Sequence, residues 1–137
     1  MTKARHRLRV AQALVLLVIG RALRLWVPMR RWSRVLGPAL PPTAVAGSEA
    51  PEGVEGAVAS AVASAARRGG GNCLEQAFAA SLMLRARGRR GVVVIGLDRR
   101  DPAAAPHAWL VGASGRVVVG GEVMDQYVPV SQFGRST

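Results

Sequence analysis

Residues 72–98 read NCLEQAFAASLMLRARGRRGVVVIGLD, and this stretch decides the fold. Its first half predicts a helix from Cys73 to about Arg87, which Gly88 ends. The start is well marked: Asn72 can cap the first turn while Glu75 reaches back to complete a capping box. The second half, Gly91–Asp98, is a β-branched run bounded by turn formers and predicts a strand.

The flanking sequence extends this pattern into an α+β fold. Downstream, His107–Val111 and Arg116–Val119 have strand character, and the turn signal at 113–115 predicts that they form an antiparallel hairpin. Upstream, the sequence predicts three further helices, at 1–27, 29–36 and 54–68. Helices followed by a small antiparallel sheet indicate an α+β domain and argue against a doubly wound parallel sheet.

The chain has 137 residues, of which 50% are hydrophobic, and this length predicts one compact domain. We divide it into basic apolar helices at 1–36, a Pro/Gly-rich connection at 37–56 and a core at 57–137. One cysteine and two distant histidines offer no metal-ligand spacing and no disulfide, and the glycine run at 69–71 lacks the Lys-Ser/Thr of a phosphate loop. We therefore expect no cofactor and no metal, and a reducing, cytoplasmic location.

The basic charge is concentrated at the N-terminus, where residues 1–34 hold nine cations and no acid within a chain of net charge +11. The apolar run Val10–Gly20 makes a nucleic-acid arm a poor fit and suits anionic lipid or a partner protein. The run is too short to span a bilayer and no signal-peptidase pattern follows it, so we expect a retained helix. We favour a core helix that turns four residues inward: Val10, Leu14, Leu17 and Val18. The alternative is a helix at the inner face of the membrane, in contact with lipid or a transporter.

Cys73 and His107 are the candidate catalytic residues. At a helix start, the unpaired N–H groups and the positive end of the dipole stabilise a thiolate, whereas the alternative reading of Cys73 is a small buried hydrophobe. His107 opens a strand, and a helix-start cysteine facing a strand histidine forms the dyad of papain-like catalysis. Trp109 shares the strand face of His107; we expect it in the core, with a wall of the substrate cleft as the alternative.

Together these segments resemble the transglutaminase-like cysteine peptidases of lasso peptide biosynthesis, the B proteins in their split form. The resemblance covers about 73–134 and rests on five stretches in family order: CLEQAFA at 73–79, LMLRARG at 82–88, VVVIG at 92–96, HAW at 107–109 and GRVV at 115–118. It implies a leader peptidase acting on a ribosomally made precursor peptide in antibiotic biosynthesis, with Cys73 as nucleophile and His107 as general base. It also implies a separate leader-recognition protein and a separate cyclase as partners.

The family pattern carries an Asp on the strand after His-Ala-Trp, and this sequence has no acid there. A two-residue turn at Ser114-Gly115 would pair Ala113 with Arg116 and place Glu122 opposite His107, so Glu122 is the predicted orienting residue. Asp125, a backbone carbonyl or no orienting group are the alternatives. Two other functions also stay open: a non-catalytic scaffold with the same fold that docks a membrane or partner through its basic N-terminus, and an acyl or amide transferase that uses the same dyad.

Overall fold

The computed structural model describes residues 3–26, 39–40, 51–104, 106–121 and 126–134. Its elements, in chain order, are α1 (Lys3–Trp26), β1 (Ala39–Leu40), α2 (Gly53–Gly69), α3 (Cys73–Ala86), β2 (Gly91–Asp98), β3 (His107–Gly112), β4 (Val117–Val119) and β5 (Tyr127–Gly134). The strands form one antiparallel sheet in the order β1-β5-β2-β3-β4. The predicted α+β fold is confirmed: apart from the two-residue strand β1, the described helices come first and the strands follow.

The core lies between the three helices and one face of the sheet. Alternation along β3 turns Ala108 and Leu110 toward the helices, and both are almost fully buried there. The largest apolar side chains that are fully buried in this layer are Phe78, Met83, Leu84, Leu110, Val58, Val62 and Val93. Fully burying each of them stabilises the fold by roughly 1.5–3 kcal/mol. This layer fixes α3 against β3, and so sets where the first turn of α3 lies.

Helix α1 runs antiparallel to α3 and supports its first turn. Arg87 donates a 2.9 Å hydrogen bond to Gln12 at one end, while Gly20 lies against the ring of Phe78 near the other. A Cβ at Gly20 would approach that ring to 3.0 Å, so the glycine lets the two helices come close. Leu17 contacts Gly71, in the loop before Cys73. No helix among the described residues is long and apolar enough to cross a membrane.

The capping box predicted at the start of α3 is confirmed. The Oδ1 atom of Asn72 accepts a 2.8 Å hydrogen bond from the backbone N–H of Glu75, and Oε1 of Glu75 accepts one of 3.3 Å from the N–H of Asn72. Glu75 is only 2% exposed, and its Oε1 also lies 3.5 Å from Nε of Arg21 on α1. The cap therefore ties α3 both to its own loop and to α1.

Two predictions about the first half of the chain need correction, and a third concerns residues outside the described ranges. Val18 on α1 was expected to face the domain but is 66% exposed, because the buried face is centred on Val10, Ala13 and Leu17. The connection predicted at 37–56 is interrupted: Ala39–Leu40 pairs with β5, and α2 already begins at Gly53. The helix predicted at 29–36 lies outside the described residues.

Strand β5 was not predicted, and Pro129 explains why. A proline cannot donate to a strand ladder, so it argues against a central strand. In the structure Pro129 lies opposite Gly96, where the ladder between β2 and β5 shifts register. On its other side, and within the described residues, β5 pairs with β1 at Gln132 and Phe133, and Pro129 is not part of that described ladder.

The predicted two-residue turn at Ser114-Gly115 is wrong. The N–H of Gly112 donates to the carbonyl of Arg116 and the N–H of Gly115 donates to that of Gly112, each at 2.9 Å, so the loop has three residues. Gly115 adopts a φ of 86°, as three-residue hairpin loops require at their last position. The ladder then shifts register and its described pairs end at Leu110 with Val119.

We expect Asn72→Ala to lower the free energy of unfolding by about 1 kcal/mol, because it removes the side-chain acceptor of the cap. Urea denaturation followed by circular dichroism measures the change. Ser60→Ala is the matched control, since Ser60 is exposed within α2 and should change stability by less than about 0.5 kcal/mol. Equal stability of the two variants would contradict the role given to the cap.

Candidate active site

The structure brings Cys73 and His107 together. Cys73 is the first residue of α3 and His107 the first residue of β3, and the core packing places these two element starts against each other. The half-buried Cys73 thiol forms a hydrogen bond with the His107 side chain. Its Sγ also accepts a hydrogen bond from the backbone N–H of Ala108 at 3.4 Å. A thiol, an imidazole and a backbone donor thus meet where the starts of α3 and β3 lie together.

These contacts lower the pKa of the Cys73 thiol below its ordinary value. Burial alone would raise the pKa, because it penalises the charged thiolate. The hydrogen bond with His107, the N–H of Ala108, the charge of the imidazolium and the N–H of Leu74 all act in the opposite direction and together outweigh burial. The site therefore favours a thiolate, which is the nucleophilic form of cysteine.

The hydrogen-bond partner of Nε2 fixes the tautomer of His107. Its Nε2 lies 2.7 Å from the backbone carbonyl oxygen of Gly120. A carbonyl oxygen can only accept, so Nε2 must carry the proton. In the neutral imidazole Nδ1 is then the unprotonated nitrogen, left to take the proton of the thiol.

Two aromatic rings flank the imidazole. The ring of Tyr127 stacks on it at a centroid distance of 4.9 Å, and the Trp109 ring lies tilted at 5.8 Å. Gly96 makes this possible: it pairs with His107 across β2 and β3, and a Cβ there would come within 2.8 Å of the Trp109 ring and 3.0 Å of Tyr127. The missing side chain leaves space for the rings that hold the imidazole in place.

Of the other predicted site residues, the structure describes Trp109 but not Glu122 or Asp125. Trp109 is 4% exposed and lies beside the imidazole, so it supports His107 and presents little surface to a substrate. Glu122 and Asp125 lie outside the described residues. The argument that selected Glu122 no longer holds, because it assumed the two-residue turn and a ladder continuing past Val119. Among the described residues, the group that contacts Nε2 of His107 is the backbone carbonyl of Gly120, and a backbone carbonyl was one of the alternatives to Glu122 as orienting group.

Sequence reasoning missed the roles of Gly96, Gly120 and Tyr127. A glycine inside a β-branched run is a known sign of close approach, so Gly96 carried a readable signal. Gly120 has a φ of 83°, and a Cβ there would meet the carbonyl of Ala108 at 2.6 Å. Tyr127 lies on the unpredicted strand β5, so nothing in the sequence placed it near His107.

A cysteine with a lowered pKa beside a histidine, on a helix and a strand of an α+β domain, is the arrangement that papain-like enzymes use for acyl chemistry. Among the described residues no three His, Cys, Asp or Glu side chains cluster to hold a metal ion. A family model described as the transglutaminase-like superfamily matches residues 13–132, and the chain belongs to that superfamily, which includes cysteine peptidases and transferases. No curated protein and no solved structure matches it.

We expect His107→Ala to raise the pKa of Cys73, because burial then acts without the hydrogen bond and charge of the imidazole. Cys73 is the only cysteine, so the pH dependence of alkylation by iodoacetamide reports its pKa directly. The reaction should reach its plateau at higher pH in the variant and run more slowly at neutral pH. His6→Ala, the matched change at the other histidine, should leave the curve in place. Coincident curves for wild type and His107→Ala would contradict the dyad.

A second alkylation experiment tests the carbonyl at Nε2. Gly120→Ala should move the alkylation curve to higher pH, because its Cβ would push against the carbonyl of Ala108 and displace the carbonyl that holds His107. Gly115→Ala is the control: Gly115 has a similar φ of 86° but open space around its Cβ position. Both variants carry the same backbone strain, about 1–2 kcal/mol, so only a local effect at His107 separates them. Equal shifts in both would show that strain alone is responsible.

Proposed function

We propose that this chain is a cysteine peptidase that removes the leader from a ribosomally made lasso precursor peptide. The observation that carries the proposal is the assembled dyad, in which Cys73 has a lowered pKa and His107 is held by Gly120. A scaffold that only binds has no use for an activated thiol, so this observation favours catalysis over the non-catalytic reading.

The first half of the reaction forms an acyl-enzyme. Nδ1 of His107 takes the thiol proton, and the Cys73 thiolate attacks the carbonyl carbon of the scissile peptide bond. The oxyanion of the tetrahedral intermediate lies near the backbone N–H of Cys73, which has no intrahelical acceptor because it belongs to the first turn of α3. When the C–N bond breaks, the imidazolium protonates the leaving amine, which is the new amino terminus of the core peptide.

The second half clears the thioester. A water molecule gives a proton to Nδ1 of His107 and attacks the thioester carbon. Collapse of the second tetrahedral intermediate breaks the C–S bond and regenerates the Cys73 thiolate beside the protonated His107, while the leader leaves as a carboxylic acid that gives its proton to solvent. Throughout, Nε2–H stays on the Gly120 carbonyl, so the ring keeps its orientation while Nδ1 exchanges protons.

The choice of a lasso precursor as substrate rests on the resemblance at residues 73–134 together with the superfamily match. In this reading the chain works in the cytoplasm beside two partners. A separate leader-recognition protein binds the leader and raises its effective concentration at Cys73. A cyclase then uses the freed amino terminus.

The test is cleavage of a lasso precursor by the purified chain, with and without its leader-recognition protein, followed by mass spectrometry. Wild type should release leader and core peptide, faster with the recognition protein present. Cys73→Ala should abolish cleavage with the fold retained, and His107→Ala should slow it at least about 100-fold. Undiminished cleavage by Cys73→Ala would end the peptidase proposal.

The same assay separates the remaining alternatives. Transfer of the acyl group to an added amine, with little hydrolysis, would indicate an amide transferase on the same dyad. Neither hydrolysis nor transfer to any added amine would favour the scaffold.

Glu122→Gln and Asp125→Asn test which group orients His107. If Glu122→Gln lowers the cleavage rate more than Gly120→Ala does, the carboxylate has this role and the carbonyl does not.

A further inference from the structure

Helix α1 has two apolar faces, and only one of them is used by the core. Val10, Ala13 and Leu17 are buried against the other helices. Of the seven large hydrophobic side chains that are exposed among the described residues, five lie on the opposite side of α1. These five form the α1 stripe: Leu8 (71% exposed), Val15 (58%), Val18 (66%), Ile19 (43%) and Leu25 (62%). A helix that served only the core would present a polar face to solvent.

The α1 stripe is continuous. At 100° per residue its five members fall within an arc of about 120°, and from Leu8 to Leu25 it extends about 26 Å. The exposed residues between them, Ala11 and Ala22, are small and apolar as well. Contiguous apolar surface of this kind marks a binding surface, whereas isolated exposed hydrophobics do not.

Cations border the stripe on both sides. Lys3 and Arg7 lie along one edge by helical position and are exposed. At the other edge a pocket of about 420 Å³ opens between the start of α1 and the end of α3, lined by Arg5, Leu8, Arg9, Gln12 and Arg87. Leu8 belongs to both features, and the Nη1 atom of Arg9 is buried with no hydrogen-bond acceptor in the described part of the chain. The pocket is thus lined by three guanidinium groups and no carboxylate, and its positive charge suits phosphate oxygens.

From this combination we infer that the α1 stripe inserts into the surface of an anionic membrane, with the bordering cations at the level of the lipid phosphates. Charge complementarity excludes a second copy as the favoured occupant, since α1 contains no acid and a pair of stripes would bring cations together. The stripe is a convex ridge, which lipid acyl chains accommodate without a matching groove. An in-plane helix with an apolar face and flanking Lys and Arg is the usual form of a membrane-surface anchor.

Vesicle co-sedimentation of the full chain tests the inference. Vesicles of equimolar phosphatidylglycerol and phosphatidylcholine should bind the protein, and vesicles of phosphatidylcholine alone should bind it at least about tenfold more weakly. Val15→Gln with Ile19→Gln should weaken binding to the anionic vesicles at least about tenfold, because the inserted side chains become polar. Lys3→Gln with Arg7→Gln should weaken it by about the same factor.

The matched control is Val128→Gln with Val130→Gln, which changes two hydrophobic residues that are each 43% exposed on β5. It should bind vesicles like wild type. Circular dichroism and the alkylation curve of Cys73 show whether each variant keeps its fold and dyad, so failure here is distinguishable from failure of the peptidase proposal.

Several outcomes would overturn the inference. One is no binding to anionic vesicles, and another is binding that the Val15/Ile19 variant leaves unchanged, which would make the attraction purely electrostatic. If that variant instead loses only a concentration-dependent dimer, the stripe joins two copies of the chain. If it loses only stimulation by the leader-recognition protein, the stripe is a protein-docking surface.

Discussion

The site depends on the approach between the first turn of α3 and the first residues of β3. The N–H of Ala108 reaches Sγ of Cys73 at 3.4 Å, an ordinary length for a hydrogen bond to the larger sulfur atom, and a shift of about one ångström would break it. Two sets of contacts hold that turn in place from outside the sheet. The capping box fixes the loop before Cys73, and α1 lies on the same loop through Leu17 and on the helix through Gly20. The basic N-terminal helix is therefore part of the support of the nucleophile.

Within the dyad, orientation and charge stabilisation are provided by different groups. The carbonyl of Gly120 fixes which nitrogen of His107 carries the proton, and a neutral dipole is sufficient for that. Stabilisation of the thiolate comes from the other side, through the imidazole, the N–H of Ala108 and the N–H of Leu74. The hydrogen bond with the imidazole is the largest of these stabilising effects, and the two backbone N–H groups and the positive potential of the helix N-terminus add to it. An acid on the strand after His107 is thus not the source of nucleophilicity.

Sequence reasoning succeeded where the signal is local. The capping box at Asn72 and Glu75, and the β-branched run at 91–98, each specify an element through neighbouring residues, and both appear in the structure with those bounds. It failed where the geometry depends on distant contacts. The loop at 113–115 has three residues where two were predicted, and the sequence of the turn is compatible with either length. Strand β5 was not predicted because Pro129 argues against a strand, and the register shift that accommodates this proline forms only when β5 pairs with β2. Val18 was assigned to the wrong face because α1 is apolar on both sides, so periodicity could not tell which side the core would bury.

The two faces of α1 also separate docking from catalysis. Leu17, which rests on the loop before Cys73, and the α1 stripe lie on roughly opposite sides of one helix, about 10 Å apart across its diameter. A surface that covers the stripe therefore approaches α1 from the side away from the loop before Cys73. The same helix carries Arg21, whose Nε lies 3.5 Å from the buried Oε1 of Glu75 in the cap. Burial of Val10, Ala13 and Leu17 sets the rotation of α1 about its axis, the contact between Arg21 and Glu75 is compatible with that rotation, and the same rotation turns the stripe outward.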